Sequence, residues 1–105
     1  MFDVITIGTA TRDVFLQSPL FRILKDPKHL KRIGFATGEA QCFALGGKVQ
    51  VGEPFLAVGG GAANAAVTFA RQGLKTGAIM KIGADEHGDA VLRAMKKEGI
   101  ISLVA

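Results

Sequence analysis

Three consecutive glycines, Gly59, Gly60 and Gly61, stand directly before Ala62-Ala63-Asn64-Ala65-Ala66. Without Cβ atoms the backbone there is free to turn sharply, and a ligand can approach the main chain closely. The alanines behind them are strong helix formers, so the spacing predicts a helix opening at about Ala62. Free N–H groups and the positive end of the macrodipole at that point attract negative charge or polar oxygen. Asn64 falls in the first turn, where its amide can both donate and accept. A carboxylate, Asp13, comes shortly after the first apolar run of the chain. The pattern predicts a ligand cradle.

Each of these residues also has a purely structural use. Asn64 is suited to capping a helix, and Asp13 to capping the segment after it or binding its own loop. Asp85 precedes an apolar helical pattern and reads as an N-cap and turn residue. His29 and His87 have no Cys or His partners at metal-ligand spacing. Cys42 lies in a β-type segment and reads as a small packed residue, and Lys48 as a solvent-facing one.

Local signals predict the elements that must position the cradle. Phe2–Ile7 is β-rich and stops at Gly8, which predicts a buried first strand, with Thr9–Asp13 as the loop leaving it. Ser18-Pro19 and Asp26-Pro27 each place a capping residue before proline, predicting two short helices within about 18–34, closed by Gly34. Cys42–Leu45, Gly46-Gly47 and Lys48–Val51 predict a two-residue hairpin, and Phe55–Val58 a further extended segment. A helix over about Ala62–Gln72 stops at Gly73. A strand over Thr76–Ile82 ends at Gly83, and a second helix opens at Asp85-Glu86 and closes at Lys96-Lys97-Glu98-Gly99. Ile100–Val104 begins another strand. Alternating strands and helices predict an α/β fold whose parallel sheet is covered on both faces, with ligands beyond the carboxyl ends of the strands.

Composition narrows the class. The 105 residues suffice for one small domain, and 49% apolar against 21% charged residues argues for a packed chain rather than a disordered one. No window approaches the length of a membrane span, and Met1–Gly8 lacks a basic leader, so cytoplasm is the expected compartment. The single Cys42 excludes an internal disulfide. The formal net charge of +4 is carried by Arg22, Lys25, Lys28, Lys31 and Arg32 against Asp26. Such a patch can bind nucleic acid. The chain has no Trp or Tyr for base stacking, however, and helical spacing of the apolar neighbours reads as a solvated face.

Two glycine motifs do not fit. A dinucleotide fingerprint needs G-x-G-x-x-G after the first strand, where Gly8 is followed by Thr9, Ala10, Thr11 and Arg12. A phosphate-binding P-loop ending at Gly47-Lys48 would need glycine at Cys42 and Ser or Thr at Val49. The run Gly59–Ala66, continuing to Gly73 and Gly83, resembles instead the N-terminal signature of the PfkB, or ribokinase-like, carbohydrate and nucleoside kinases. Gly83-Ala84-Asp85-Glu86-His87-Gly88 is similar to that family's G-x-D-x-x-G turn. Glu98-Gly99-Ile100 resembles the glycine–isoleucine or glycine–valine pair that closes the family's next helix. Gly8 with Asp13 five residues on is similar to its opening. The resemblance covers residues 2–13 and about 48–104.

The resemblance implies an α/β kinase domain with a small β lid, here from about 42–58, and transfer of the ATP γ-phosphoryl group to a hydroxyl. It implies that Asp13 accepts hydrogen bonds from substrate hydroxyls, that Gly60 and Gly61 admit the sugar, and that Asn64 holds another hydroxyl. Thr11 stands where the family often has asparagine, which points to an altered contact. The basic helices of about 18–34 lengthen the usual connection to the lid. The family's C-terminal Gly-Ala-Gly-Asp segment, which carries the catalytic base, does not occur among the 105 residues. The expectation is therefore the substrate-binding N-terminal part of a sugar or nucleoside kinase. ATP and Mg2+ are implied for a complete enzyme, with neither bound tightly by this portion. A non-catalytic binding or interaction module is the alternative. An uncovered sheet edge and apolar surface at this length predict a homo-oligomer.

Overall fold

A computed structural model describes residues 1–104. The chain forms two compact units, one of Met1–Val14 with the residues from Leu56 onward, the other Phe15–Phe55. The first unit holds a three-stranded parallel sheet of β1 (Val4–Gly8), β6 (Thr76–Met80) and β7 (Ile101–Val104), in the order β1-β6-β7. Thr6 pairs with Ala78 and Ala78 with Ser102, while Ile5 and Ile101 flank Gly77. Two helices connect the strands, α2 (Gly61–Arg71) and α3 (Glu86–Lys97).

Local chemistry explains why these helices begin and end where they do. Gly60 turns at φ +96° to open α2, and Gly73 at φ +87° follows its end. Asp85 caps α3, its Oδ1 accepting from the Gly88 N–H at 2.8 Å, so the N-cap reading of Asp85 holds. A Cβ on Gly88 would run into the carbonyl oxygen of Gly83. Gly88 is thus needed for close approach to the Gly83 backbone, while a Cβ on Gly83 would crowd the capping Asp85 carboxylate.

The α/β fold with a parallel sheet, expected from sequence, is present, and the two helices of this unit share one face of that sheet. Ala62, Ala63 and Ala66 of α2, Val91 and Met95 of α3, Ala78 and Met80 of β6, and Ile100 form one buried cluster. The reason is handedness: successive right-handed crossovers between strands that advance in one direction place both helices on the same side. Alanines on α2 let the helix approach the sheet closely. Thr6, buried between them, satisfies its hydroxyl by donating to the Ala62 carbonyl at 2.9 Å. On the other face Ile5, Ile7, Ile101 and Leu103 are exposed.

Met95 is 2% exposed at the centre of the cluster. Met95→Ala removes a buried, unbranched side chain from between sheet and helix and is expected to cost about 2–5 kcal/mol. Denaturant unfolding of the two chains measures it.

Arg71, at the end of α2, makes a two-pronged ion pair with Glu98, the C-cap of α3, at 3.0 and 2.6 Å. The hydrogen bonds and charge of Arg71 hold the Glu98 carboxyl below the usual carboxylate range. Those from Glu98 raise Arg71 still further above neutrality. Because the folded carboxyl ionises more readily than the unfolded one, the pair's contribution is present at neutral pH and is lost as pH falls through the Glu98 range. Arg71 is exposed and Glu98 half-buried, so water screens the pair and the contribution is small. Glu98→Gln is expected to reduce the fall in thermal midpoint between neutral and acid pH, as followed by circular dichroism.

In the second unit, β3 (Arg22–Lys25) pairs antiparallel with β4 (Glu39–Cys42), placing Arg22 opposite Cys42 and Lys25 opposite Glu39. Lys25 Nζ lies 3.5 Å from Glu39 Oε1. A short helix, α1 (Pro27–Arg32), starts at Asp26, whose side chain accepts from the His29 N–H at 3.2 Å. The predicted Asp26-Pro27 start is therefore present, but the predicted helix at Ser18-Pro19 is not. There the Ser18 hydroxyl accepts from the Leu20 N–H at 3.1 Å in a tight turn, and the chain enters β3. A Ser-Pro pair serves a turn as well as a helix start, and the pairing with β4 decides between them. The basic 18–34 segment is thus strand plus short helix.

The predicted hairpin at Gly46-Gly47 is also replaced. Its first arm is partly taken by β4, which pairs back with β3. What remains is a turn closed by the Gly47 N–H to the Ala44 carbonyl at 2.9 Å, with Gly46 at φ +73°. Residues 18–34 and most of 42–58 fall within one unit. In that unit Phe15 and Phe55 pack with ring centroids 6.0 Å apart, as do Phe21 and Phe43.

Candidate functional site

The segment after Gly8, predicted as a loop to Asp13, becomes a strand, β2 (Thr11–Phe15), in a two-stranded sheet with β5 (Phe55–Gly59). The change matters because a strand alternates its side chains. Thr11 and Asp13 project to one side and Arg12 to the other. A Cβ built on Gly59 would lie 2.8 Å from Asp13 Oδ2 and 3.3 Å from Thr11 Oγ1. The absence of a side chain at Gly59 is therefore what makes room for the carboxylate and hydroxyl over this backbone. Among the described residues the Asp13 carboxylate accepts no hydrogen bond, so its acceptor capacity is available to a ligand. Asp13 does not serve as a cap.

The glycine turn itself is pinned by Thr9. The Gly61 N–H donates to Thr9 Oγ1 at 2.9 Å, and the Ala62 N–H to the Thr9 carbonyl at 3.0 Å. The Ala63 N–H also points to that carbonyl, at 3.4 Å. The donors at the start of α2, expected from sequence to be free, are thus consumed within the protein. Gly60 packs against the same segment, since a Cβ there would lie 2.6 Å from the Thr9 carbonyl oxygen and 2.9 Å from Ala10 Cα. Gly60 and Gly61 shape the turn against Thr9 and Ala10.

Asn64 is exposed on α2, and its side chain makes no hydrogen bond among the described residues. It lines a groove of about 620 Å³ together with Arg12, Leu56, Val58, Val67 and Arg71. That volume lies within the usual range for small-molecule sites. The structure therefore brings Thr11, Asp13 and Gly59 together, and sets Asn64 beside Arg12 instead. Thr9 and Arg12 belong to this region although no motif in the sequence marks their roles, and the glycine run does not tell that Gly59 is the one beneath Asp13. Thr9 has a readable signal in its hydroxyl beside Gly8, but its partners lie more than fifty residues away.

Among the described residues no group of three His, Cys, Asp or Glu side chains converges as a metal site. No helix among them is long and apolar enough to cross a membrane. Thr11 and Asp13 place a hydroxyl and a carboxylate side by side over the backbone of Gly59.

Comparison with solved structures finds the same arrangement of elements. A PfkB protein from a Polaromonas species is 25% identical with a TM-score of 0.63, matching 99% of this chain and 27% of its own. A probable sugar kinase from Rhizobium etli is 21% identical with a TM-score of 0.59, over 97% of this chain and 30% of its own. A fructokinase from Xylella fastidiosa, solved with bound ATP, is 21% identical with a TM-score of 0.55, over 97% and 25%. The chain thus spans between a quarter and a third of the length of these structures. No curated protein sequence matches it significantly. The sequence pattern described as pfkB family carbohydrate kinase matches residues 28–104, most of the chain, and the protein belongs to that family.

Proposed function

We propose that this chain is the substrate-binding N-terminal part of an ATP-dependent kinase that phosphorylates a hydroxyl of a sugar or nucleoside. The observation that carries the reading is the unpartnered Asp13 carboxylate over the bare backbone of Gly59. A carboxylate so placed accepts from the hydroxyls of a polyol, and the missing Cβ of Gly59 gives it the room to sit there. Thr11 adds a donor and acceptor beside it, in place of the amide common in the family. Asn64 lies in the groove on the Arg12 side of β2, so its amide takes no part in the hydroxyl contacts proposed for Asp13 and Thr11. Gly60 and Gly61 contribute the turn that sets α2 against Thr9.

In this family phosphoryl transfer rests on positioning together with charge stabilisation. ATP and Mg2+ supply the phosphoryl group and the charge neutralisation when bound in a complete kinase. On this reading Asp13 and Thr11 hold the acceptor. Isothermal titration against a panel of ketoses, aldoses and nucleosides tests the reading, with phosphoryl transfer from ATP–Mg2+ assayed in parallel. Binding of one hydroxyl class, with transfer at background, is expected. Absence of any binding favours the alternative, a non-catalytic interaction module. A cytoplasmic setting, where ATP is available, goes with this proposal.

Self-association belongs to the same reading. The uncovered sheet face carries Ile5, Ile7, Ile101 and Leu103, and apolar surface of this kind is seldom left to water. The chain is expected to sediment as a dimer or larger, and Ile7→Lys to shift it toward monomer. A wild-type monomer at high concentration contradicts this.

A further inference from the structure

The first unit holds a second concave feature on the opposite side of β2 from Asp13. A cavity of about 170 Å³ is lined by Arg12, Lys81, Gly83, Asp85, His87 and Val91, among others. It lies below the usual size range of small-molecule sites and corresponds to roughly six water volumes. Its polar lining comes from three places in the chain: Arg12 on β2, Lys81 just beyond β6, and His87 in the first turn of α3.

Arg12 Nη1 lies 3.0 Å from His87 Nδ1. A guanidinium has no acceptor, so Arg12 donates and His87 Nδ1 offers its lone pair. The contact fixes the guanidinium without neutralising it. No carboxylate among the described residues lies within 4.0 Å of Arg12, although Arg12 is partly buried. The nearby acids are engaged elsewhere: Asp85 caps α3 through the Gly88 N–H, and Glu86 Oε1 sits 4.0 Å from His87 Nε2. With the exposed Lys81 on the same wall, two positive charges, one of them held in place, face one already hydrogen-bonded carboxylate. A guanidinium held in place with spare donors is matched by a planar or tetrahedral oxyanion.

We propose that Arg12, Lys81 and His87 form an oxyanion subsite for a phosphate group, separate from the hydroxyl-binding face of Asp13 and Gly59. Arg12 supplies the paired donors, His87 orients it, and Lys81 adds a point charge. The occupant is either free phosphate or the phosphate of a sugar ester, which share this chemistry.

The test is titration of the 15N-labelled chain with inorganic phosphate, a hexose phosphate and the unphosphorylated hexose, at ionic strength held constant with chloride. Saturable shifts confined to Arg12 and the residues from Lys81 to Gly88 are expected from both phosphates. Tighter binding of the ester places the phosphate on an organic ligand, and equal binding marks a site for the free ion. Arg12→Gln is expected to raise the Kd at least tenfold and Lys81→Gln severalfold, the second position being exposed and tolerant of change. The proposal is overturned if phosphate causes no saturable shift at these residues. It is also overturned if chloride reproduces the shift or if both variants bind as the wild type does.

Discussion

Asp13→Asn is expected to weaken binding of the sugar or nucleoside by about ten- to a hundredfold while leaving the fold intact. The carboxylate is exposed and takes part in no internal hydrogen bond among the described residues, so nothing in the fold depends on its charge. Hydrogen bonds to a charged acceptor contribute about 1.5–3 kcal/mol each, and one such bond accounts for the stated loss. Gly59→Ala should produce a similar loss by a different route. Its Cβ would crowd Asp13 Oδ2 at 2.8 Å and Thr11 Oγ1 at 3.3 Å. Both are ends of side chains that can rotate away, so stability should change little while the acceptor geometry is lost. Calorimetric titration of the two variants, with unfolding curves alongside, separates recognition from stability. Equal affinity in wild type and both variants contradicts the assignment.

The opposite behaviour is expected one residue further on. Gly60→Ala should destabilise the chain by about 2–6 kcal/mol, combining strain at a left-handed φ with overpacking. Here φ is +96°, and the new Cβ would meet main chain rather than side chain, at the Thr9 carbonyl and Ala10 Cα. Main chain cannot rotate away. The same segment holds the first N–H groups of α2, so displacing it also uncaps the helix. Unfolding in denaturant would register the loss as a lower midpoint. A midpoint within error of the wild type would mean that the turn is not pinned as described.

The contrast between Gly59 and Gly60 shows where the sequence is readable. A run of glycines before alanines announces a turn into a helix, and α2, β6 and α3 lie close to where their caps and stops place them. Asp85 declares itself because capping is local. Which glycine shapes the turn and which one clears space for Asp13 depends on partners some fifty residues away, and no local pattern encodes that. The same limit explains β3, where Ser18-Pro19 suits a turn or a helix until β4 supplies a pairing partner. It explains the lost hairpin too, since Cys42 pairs with Arg22 rather than across Gly46-Gly47. The placement of both helices on one face comes from crossover handedness once strand order is known, and strand order is a property of the whole chain. Asp13 and Thr11 are legible through motif likeness, whereas Arg12, between them, carries no motif and emerges only from the alternation of β2.

Whether Thr11, Asp13 and Gly59 form one hydroxyl-binding surface is decided most directly by chemical-shift mapping. The 15N-labelled chain is titrated with the best-binding member of a sugar and nucleoside panel. Ligand-dependent shifts are expected at Thr11, Asp13, Gly59 and Gly60, and they should disappear in Asp13→Asn. Shifts that leave these residues untouched, or that persist unchanged in the variant, would contradict a shared surface.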